Sequence, residues 1–275
     1  LLVLPALAGA LTLPLFARDP LDSPAAVREA AWTFGGAAEE TLLDWARSWA
    51  RELGVFLVPG TCLVPGERGV LQRAYLFSPD GRLLGVQAQT HVRADDLEFG
   101  LVAGCELEVW DAGGLRVGMA VGSDAWTPEV GRILALEGAT VLLCPTAVRT
   151  PYSVWWQMAG PWQLAQANCC FAVESSLAGE LGGVRFTGRA AVIAPADWPG
   201  SADGFLARAI HHGREAAIGA ELDLRQLTAW RGGDAWLDGL NRHLYATVFP
   251  RLYWERLQRL GFVTADQSIV KHYQT

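Results

Sequence analysis

Residues 117–129, VGMAVGSDAWTPE, run as an apolar strand into a sharp Gly122-Ser123-Asp124 corner and out into a helix that starts after Thr127-Pro128-Glu129. A strand–turn–helix corner projects its tip residue into a cleft, which is where enzymes place nucleophiles. The tip here is Gly122, which has no side chain. Ser123 beside it is a nucleophile only with a base in reach. Asp124 follows in sequence but is a weak base for a serine hydroxyl, and His91 serves only if the fold brings it near. The plainer expectation is that Ser123 and Asp124 hydrogen-bond the turn and cap its helix. Cys144 ends an apolar strand before Pro145-Thr146. It becomes reactive where a positive group lowers its pKa, and is otherwise a buried strand-end cysteine.

Other clusters carry weaker chemistry. His211-His212 are adjacent and have no third ligand, so they read as a surface loop pair. Asp95-Asp96 and Glu98 read as a solvated acidic turn, with Asp96 alone a candidate for a pocket. Five cysteines at 62, 105, 144, 169 and 170 lack metal-ligand spacing. They read as reduced and mostly buried, with Cys169-Cys170 a strand pair facing opposite sides. No pattern calls for a metal or a cofactor.

The elements that position these residues alternate along the chain. A helix over AAEETLLDWARSWAREL places Leu42, Leu43, Trp45, Ala46 and Trp49 on one face and leads into a buried strand. RAYLFSPDGRLLGVQAQTHV reads as two strands around a Pro-Asp-Gly turn, and CELEVWDAGGLRVGMAVG as a hairpin turning at Gly113-Gly114. Thr127 is the expected N-cap of the next helix, with Pro128 at its first position. A helix interrupted near Gly160-Pro161 and a further strand follow. Strands alternating with helices, with hairpins inserted, predict sheets covered by helices, an α/β sandwich in one domain over 1–275.

Composition narrows the partners. The chain has 275 residues, 51% of them hydrophobic, and a net charge of -7. A basic patch for nucleic acid does not stand out. The opening LLVLPALAGALTLPLF is too short and too broken by prolines to span a membrane, and reads as a buried strand followed by a loop. The compartment expected is the cytoplasm. Twelve tryptophans, among them Trp155, Trp156, Trp162, Trp230, Trp236 and Trp254, imply a large core or an interface.

The order of elements resembles the nitrilase superfamily, the carbon-nitrogen hydrolases. The blocks that carry the resemblance are LLVLPALA, DGRLLGVQAQTHV, GLRVGMAVGSDAWTPEVGRILALEGATVLLCPTA and WQLAQANCCFAV. The resemblance implies a nitrilase-like αββα sandwich, two mixed sheets flanked by helices, that usually dimerises. It also implies a cysteine thiolate attacking an amide or nitrile, a glutamate as base and a lysine holding the oxyanion. On this frame the glutamate position is Ala6, the lysine position Gln89 and the cysteine position Gly122. The family's second glutamate, which steadies the lysine, falls on Asp96, and the glutamate of the fourth block falls on Ala167. The only lysine is Lys271, so no realignment restores one mid-chain.

None of the three triad residues is thus retained, and the positions left to border a pocket are Asp96, Ser123, Asp124, Trp126, Cys144 and Thr146. Two readings follow. One is a catalytically silent member with a structural, regulatory or ligand-binding role. It would act as a homodimer, beside an active homologue, or on a small amide or carboxylate. The other is an active amidase- or nitrilase-type hydrolase, or an acyltransferase, with its chemistry relocated to Ser123 or Cys144. The resemblance leads one to expect a strand and a helix before LLVLPALA, at which the sequence opens, and the tail over 234–275 is expected to pack on a partner subunit.

Overall fold

Apolar runs build two sheets in this computed structural model, which describes residues 1–149, 151–232 and 239–261. The first sheet holds β1 (Leu2–Val3), β2 (Leu57–Val58), β3 (Thr61–Pro65), β4 (Val70–Phe77) and β5 (Leu83–Ala88). The long strand β4 is its hub, pairing antiparallel with β2, β3 and β5. The second sheet begins with β6 (Val109–Asp111), β7 (Arg116–Met119), β8 (Val141–Thr146) and β9 (Phe171–Ser176). A hairpin of β10 (Ala178–Leu181) and β11 (Val184–Thr187) stands apart, and β12 (Ala191–Ile193) and β13 (Phe205–Arg208) complete the second sheet. Its centre, β7-β8-β9, is parallel, while β6, β12 and β13 join antiparallel, so the sheet is mixed.

The two sheets face each other. Ala74 and Leu76 of β4 share one buried cluster with Val117 and Met119 of β7, Val141 and Leu143 of β8, and Phe171 of β9. Helices cover the outer faces. Helix α1 (Pro24–Leu53) starts where Ser23 Oγ accepts from the Ala26 amide and stops at Gly54 in the left-handed region. It buries Leu42, Ala46 and Ala50 against Leu57, Tyr75 and Phe77. After the short helix α2 (Ala94–Leu97), α3 (Pro128–Leu136) covers the second sheet, with Leu134 resting on Gly118 of β7. Helices α4 (Val154–Gln157) and α5 (Gln163–Asn168) are joined across a kink at Gly160. The order helix, sheet, sheet, helix is the αββα sandwich expected from the sequence.

Several local expectations are corrected. Trp45 and Trp49 lie 6.1 Å apart with tilted rings on the outer side of α1, because small residues and Leu42 suffice for its inner face. Cys169-Cys170 are not a strand pair: Cys169 is the left-handed residue that ends α5, and β9 begins at Phe171. All five cysteines are free. The opening is a two-residue strand followed by a 3-10 turn over Ala8–Leu15, and Leu2 is exposed. Thr127 precedes α3, but its hydroxyl donates back to the Ser123 carbonyl instead of capping the helix.

The chain divides into two compact units, Leu1–Leu227 and Thr228–Thr275. Helix α6 (Leu224–Arg231) begins in the first and ends in the second. The described part of the second unit contains α7 (Phe249–Arg259), along which Leu252, Tyr253 and Leu257 are exposed. Trp236 and Lys271 lie outside the described residues. No helix among the described residues is long and apolar enough to cross a membrane.

Candidate functional site

The corner after β7 has the backbone its sequence suggested. Gly122 has φ of 55° and opens a 3-10 turn over Gly122–Trp126. Left-handed φ is where glycine has no side chain to strain. A Cβ on Gly122 would land on Gln89 Oε1 and lie 3.0 Å from Gln72 Nε2. Gln89 directly follows β5, and its side chain reaches the Gly122 corner beyond β7.

The Gln89 amide is oriented by its neighbours. Its Nε2 donates to the His91 carbonyl at 2.8 Å and to Asp96 Oδ2 at 2.9 Å. Both partners are acceptors, so the nitrogen must face them and Oε1 must face Gly122. That oxygen is buried and accepts nothing. Asp96 Oδ2 also accepts from Ser123 Oγ at 2.6 Å and from the Arg93 amide at 2.8 Å. One carboxylate therefore ties α2, Gln89 and the corner together.

Asp124 has a different task. It is fully buried and accepts from the Thr90 and His91 amides at 2.9 and 2.8 Å and from Thr90 Oγ1 at 2.9 Å. His91 Nδ1 lies 3.2 Å from it, and this hydrogen bond raises the His91 pKa against the opposing effect of burial. The pair staples the segment after β5 to the corner. His91 is thus engaged with Asp124, while Ser123 donates to Asp96; the structure does not align Ser123, His91 and Asp124 as a relay.

A cavity of about 310 Å³ opens over the corner. Gly122, Ser123, Asp96 and Gln72 give it a polar floor, and Leu7, Phe99, Leu101 and Phe186 give apolar walls. Trp126 and Trp156 meet edge to face at 5.7 Å on another side, fixed by Trp126 Nε1 donating to the Trp156 carbonyl at 2.7 Å. Arg93 lies over the Trp156 ring at 5.0 Å. Arg149 bridges to Glu98 at 3.0 Å and approaches Asp95 at 3.9 Å, so this acidic turn is neutralised by an arginine. Among the described residues, no group of three or more histidines, cysteines or acids is placed to hold a metal. His212 stacks on Tyr152 at the surface.

Two of the sequence candidates stand elsewhere. Cys144 and Thr146 are fully buried and do not line the cavity. Burial pushes the Cys144 thiol far up, and the nearby Glu174 adds to it. Thr146 Oγ1 donates to Glu174 at 3.2 Å, and Gln157 Nε2 donates to its other oxygen at 2.7 Å. Burial raises Glu174 to about 7 against the opposing pull of those two hydrogen bonds. Ala6 is fully buried, and its neighbour Leu7 lines the cavity. Sequence reasoning missed Gln72, Arg93, Arg149 and Glu174. Only Glu174 left a signal, as the single acid within the apolar run FAVESS.

The profile of the carbon-nitrogen hydrolase family matches residues 3–232. The chain belongs to the carbon-nitrogen hydrolase family. It is 30% identical to a nitrilase of Pyrococcus abyssi over 146 residues, 53% of each chain. It is 31% identical to a citrullinase of Francisella tularensis over 77 residues, 26% of this chain and 27% of that one. It thus spans about half the length of the first of these relatives and about a quarter of the second. Among solved structures, a carbon-nitrogen hydrolase of Helicobacter pylori superposes with a TM-score of 0.68 at 22% identity, over 90% of this chain and 85% of that one. A mutant of the amidase of Nesterenkonia sp. AN1, with acrylamide added at the active-site cysteine, superposes with a TM-score of 0.59 at 22% identity, over 77% of each chain. These likenesses agree with the sandwich described above.

Proposed function

We propose that this carbon-nitrogen hydrolase family chain is catalytically silent and uses the cavity over its corner to hold a small ligand. The observation that carries this reading is the Gln89 carbonyl oxygen in the space a Gly122 side chain would need. Attack on an amide or nitrile requires a nucleophile, a proton acceptor and positive charge where the oxyanion forms. The corresponding positions here hold glycine, alanine and the negative end of an amide dipole. Both donors of Gln89 are committed elsewhere, so the group nearest Gly122 repels an oxyanion instead of binding it. Loss of the nucleophile alone removes most covalent catalysis.

Relatives that act as a nitrilase, a citrullinase and an amidase make small amides and carboxylates the first ligands to try. A homodimer, or pairing with an active homologue, accommodates the same silent corner. The test compares amide and nitrile hydrolysis by the wild type with that of the triple variant Ala6→Glu, Gln89→Lys, Gly122→Cys. The wild type is expected to be inert, and a wild type faster than the triple variant ends the silent reading.

A second reading rests on one contact. Ser123 stands on the cavity wall with its hydroxyl donating to Asp96, which offers a nucleophile beside a carboxylate base. Stoichiometric labelling of Ser123 by a fluorophosphonate in folded protein would favour an active hydrolase or acyltransferase. No labelling there removes it. Cys144 has no comparable access to the cavity.

A further inference from the structure

The polar floor of the cavity is rich in acceptors and short of positive charge. Asp96 Oδ2 takes three hydrogen bonds, while Oδ1 takes none among the described residues. No side-chain cation among them pairs with Asp96. The two arginines on the cavity are placed otherwise: Arg149 serves Glu98 and Asp95, and the exposed Arg93 covers Trp156. Asp95, the other acid on the wall, is the one already approached by Arg149.

A second observation is independent of the carboxylate. Gln72 is 4% exposed, lines the cavity and makes no side-chain hydrogen bond among the described residues. A buried side-chain amide without a partner costs free energy unless a ligand or water completes it. The amide stands with Nε2 toward the Gly122 corner, and a half-turn about its last bond, which an incoming cation would favour, brings Oε1 there instead. Beside it stands Gln89 Oε1, a buried acceptor with no donor. Trp126 lines the same cavity and ring faces attract cations, while Trp156 and Phe99 already lie under Arg93 and Arg149 at 5.0 and 5.7 Å.

We propose that the cavity binds a small primary amine in its ammonium form, with the –NH3+ group on Asp96, Ser123 and Gln72. An ammonium brings three donors and no acceptor. Asp96 Oδ1, a lone pair of Ser123 Oγ and the rotated Gln72 Oε1 supply three acceptors, and Asp96 supplies the opposite charge. A neutral primary amide brings two donors for these three acceptors and no charge, and a carboxylate brings neither donor nor positive charge. The ligand is held and released unchanged. This inference rests on the ligand-holding reading above and narrows it to a cation.

The experiment uses three probes of equal size on the full chain at pH 7: propylamine, propionamide and propionate. Calorimetry and thermal unfolding are expected to show propylamine binding at least tenfold tighter than either other probe. Asp96→Asn should weaken propylamine at least tenfold and propionamide by a smaller factor. Should Asp96→Asn fail to fold, Gln72→Leu supplies the same comparison, with a smaller expected loss. Tighter binding of propionamide or propionate overturns the cation and leaves the ligand-holding reading standing. Binding of none of the three overturns the cation inference, and the ligand-holding reading then falls only if wider amide and carboxylate panels also give no shift.

Discussion

Two neighbouring strand ends of the same sheet carry the residues with chemical potential. They differ in what surrounds them. Strand β7 runs out into Gly122 and Ser123, which face a cavity of about 310 Å³. Strand β8, parallel to it, ends in Cys144, Pro145 and Thr146, of which Cys144 and Thr146 are fully buried. The better nucleophile by residue type is therefore sealed, and the open corner has no side chain at its tip. Access and local charge, more than residue identity, decide which strand end can meet a ligand.

The largest expected difference is in thiol accessibility. Cys105 is exposed and Cys144 is sealed, with its thiol held protonated by burial. Labelling of Cys144 must wait for unfolding, so under native conditions it should be slower than labelling of Cys105 by at least ~10³-fold, the low end of global protection. Iodoacetamide labelling followed by peptide mass spectrometry measures both rates. Comparable rates would mean that the β8 end opens, and Cys144 would return as a candidate nucleophile.

The open end makes the next prediction. Gly122→Ala puts a methyl group where Gln89 Oε1 lies, at a backbone angle that disfavours side chains. Left-handed strain of ~1–2 kcal/mol and overpacking of ~1–3 kcal/mol together suggest a loss on the order of 3 kcal/mol in urea unfolding. Adding Gln89→Ala should return the overpacking share and leave the strain. A Gly122→Ala protein as stable as the wild type would show that the corner has room for a nucleophile's Cβ. The lock between Gln89 and Gly122, on which the silent reading depends, would then be absent.

The contrast between the strand ends was only partly legible in the sequence. The corner, the Gly113-Gly114 hairpin, the break at Gly160 and the sandwich order follow from apolar runs and their punctuation, which are local signals. The tip residue Gly122 and its neighbour Gln89 were singled out by family blocks, but not the way Gln89 fills the space over Gly122. That contact depends on two acceptors, His91 O and Asp96, that fix an amide. Gln72, Arg93 and Arg149 come from segments far apart in the chain, and nothing in their residue types marks them before the sheets are stacked. Trp45 and Trp49 misled for a related reason: a helical face shows which residues are together, not which face the sheet takes when alanines fill the other one.

The last of the three effects, an upper bound that any water at the carboxyl reduces, tests how closed the β8 end is. Glu174 is raised from 4.5 to about 7 by burial, with Thr146 and Gln157 as its hydrogen-bond partners. The folded state therefore holds this proton more tightly than the unfolded chain does. Below pH ~4.5 both states are protonated and the group costs nothing; between ~4.5 and ~7 the unfolded chain ionises alone and stability falls; above ~7 the loss levels off. The shift corresponds to a loss on the order of 3 kcal/mol, reduced by whatever water reaches the carboxyl. Glu174→Gln copies the protonated acid, because its oxygen can accept from Gln157 while its nitrogen donates to Thr146 Oγ1. The variant should match the wild type in urea unfolding at pH 4.5 and exceed it at pH 8. Titrations shared by both proteins cancel in that difference. A difference that does not change with pH would mean that water or an unseen donor reaches Glu174. The two strand ends would then differ in shape but not in solvent access, and the explanation for Cys144's silence would have to be sought in geometry alone.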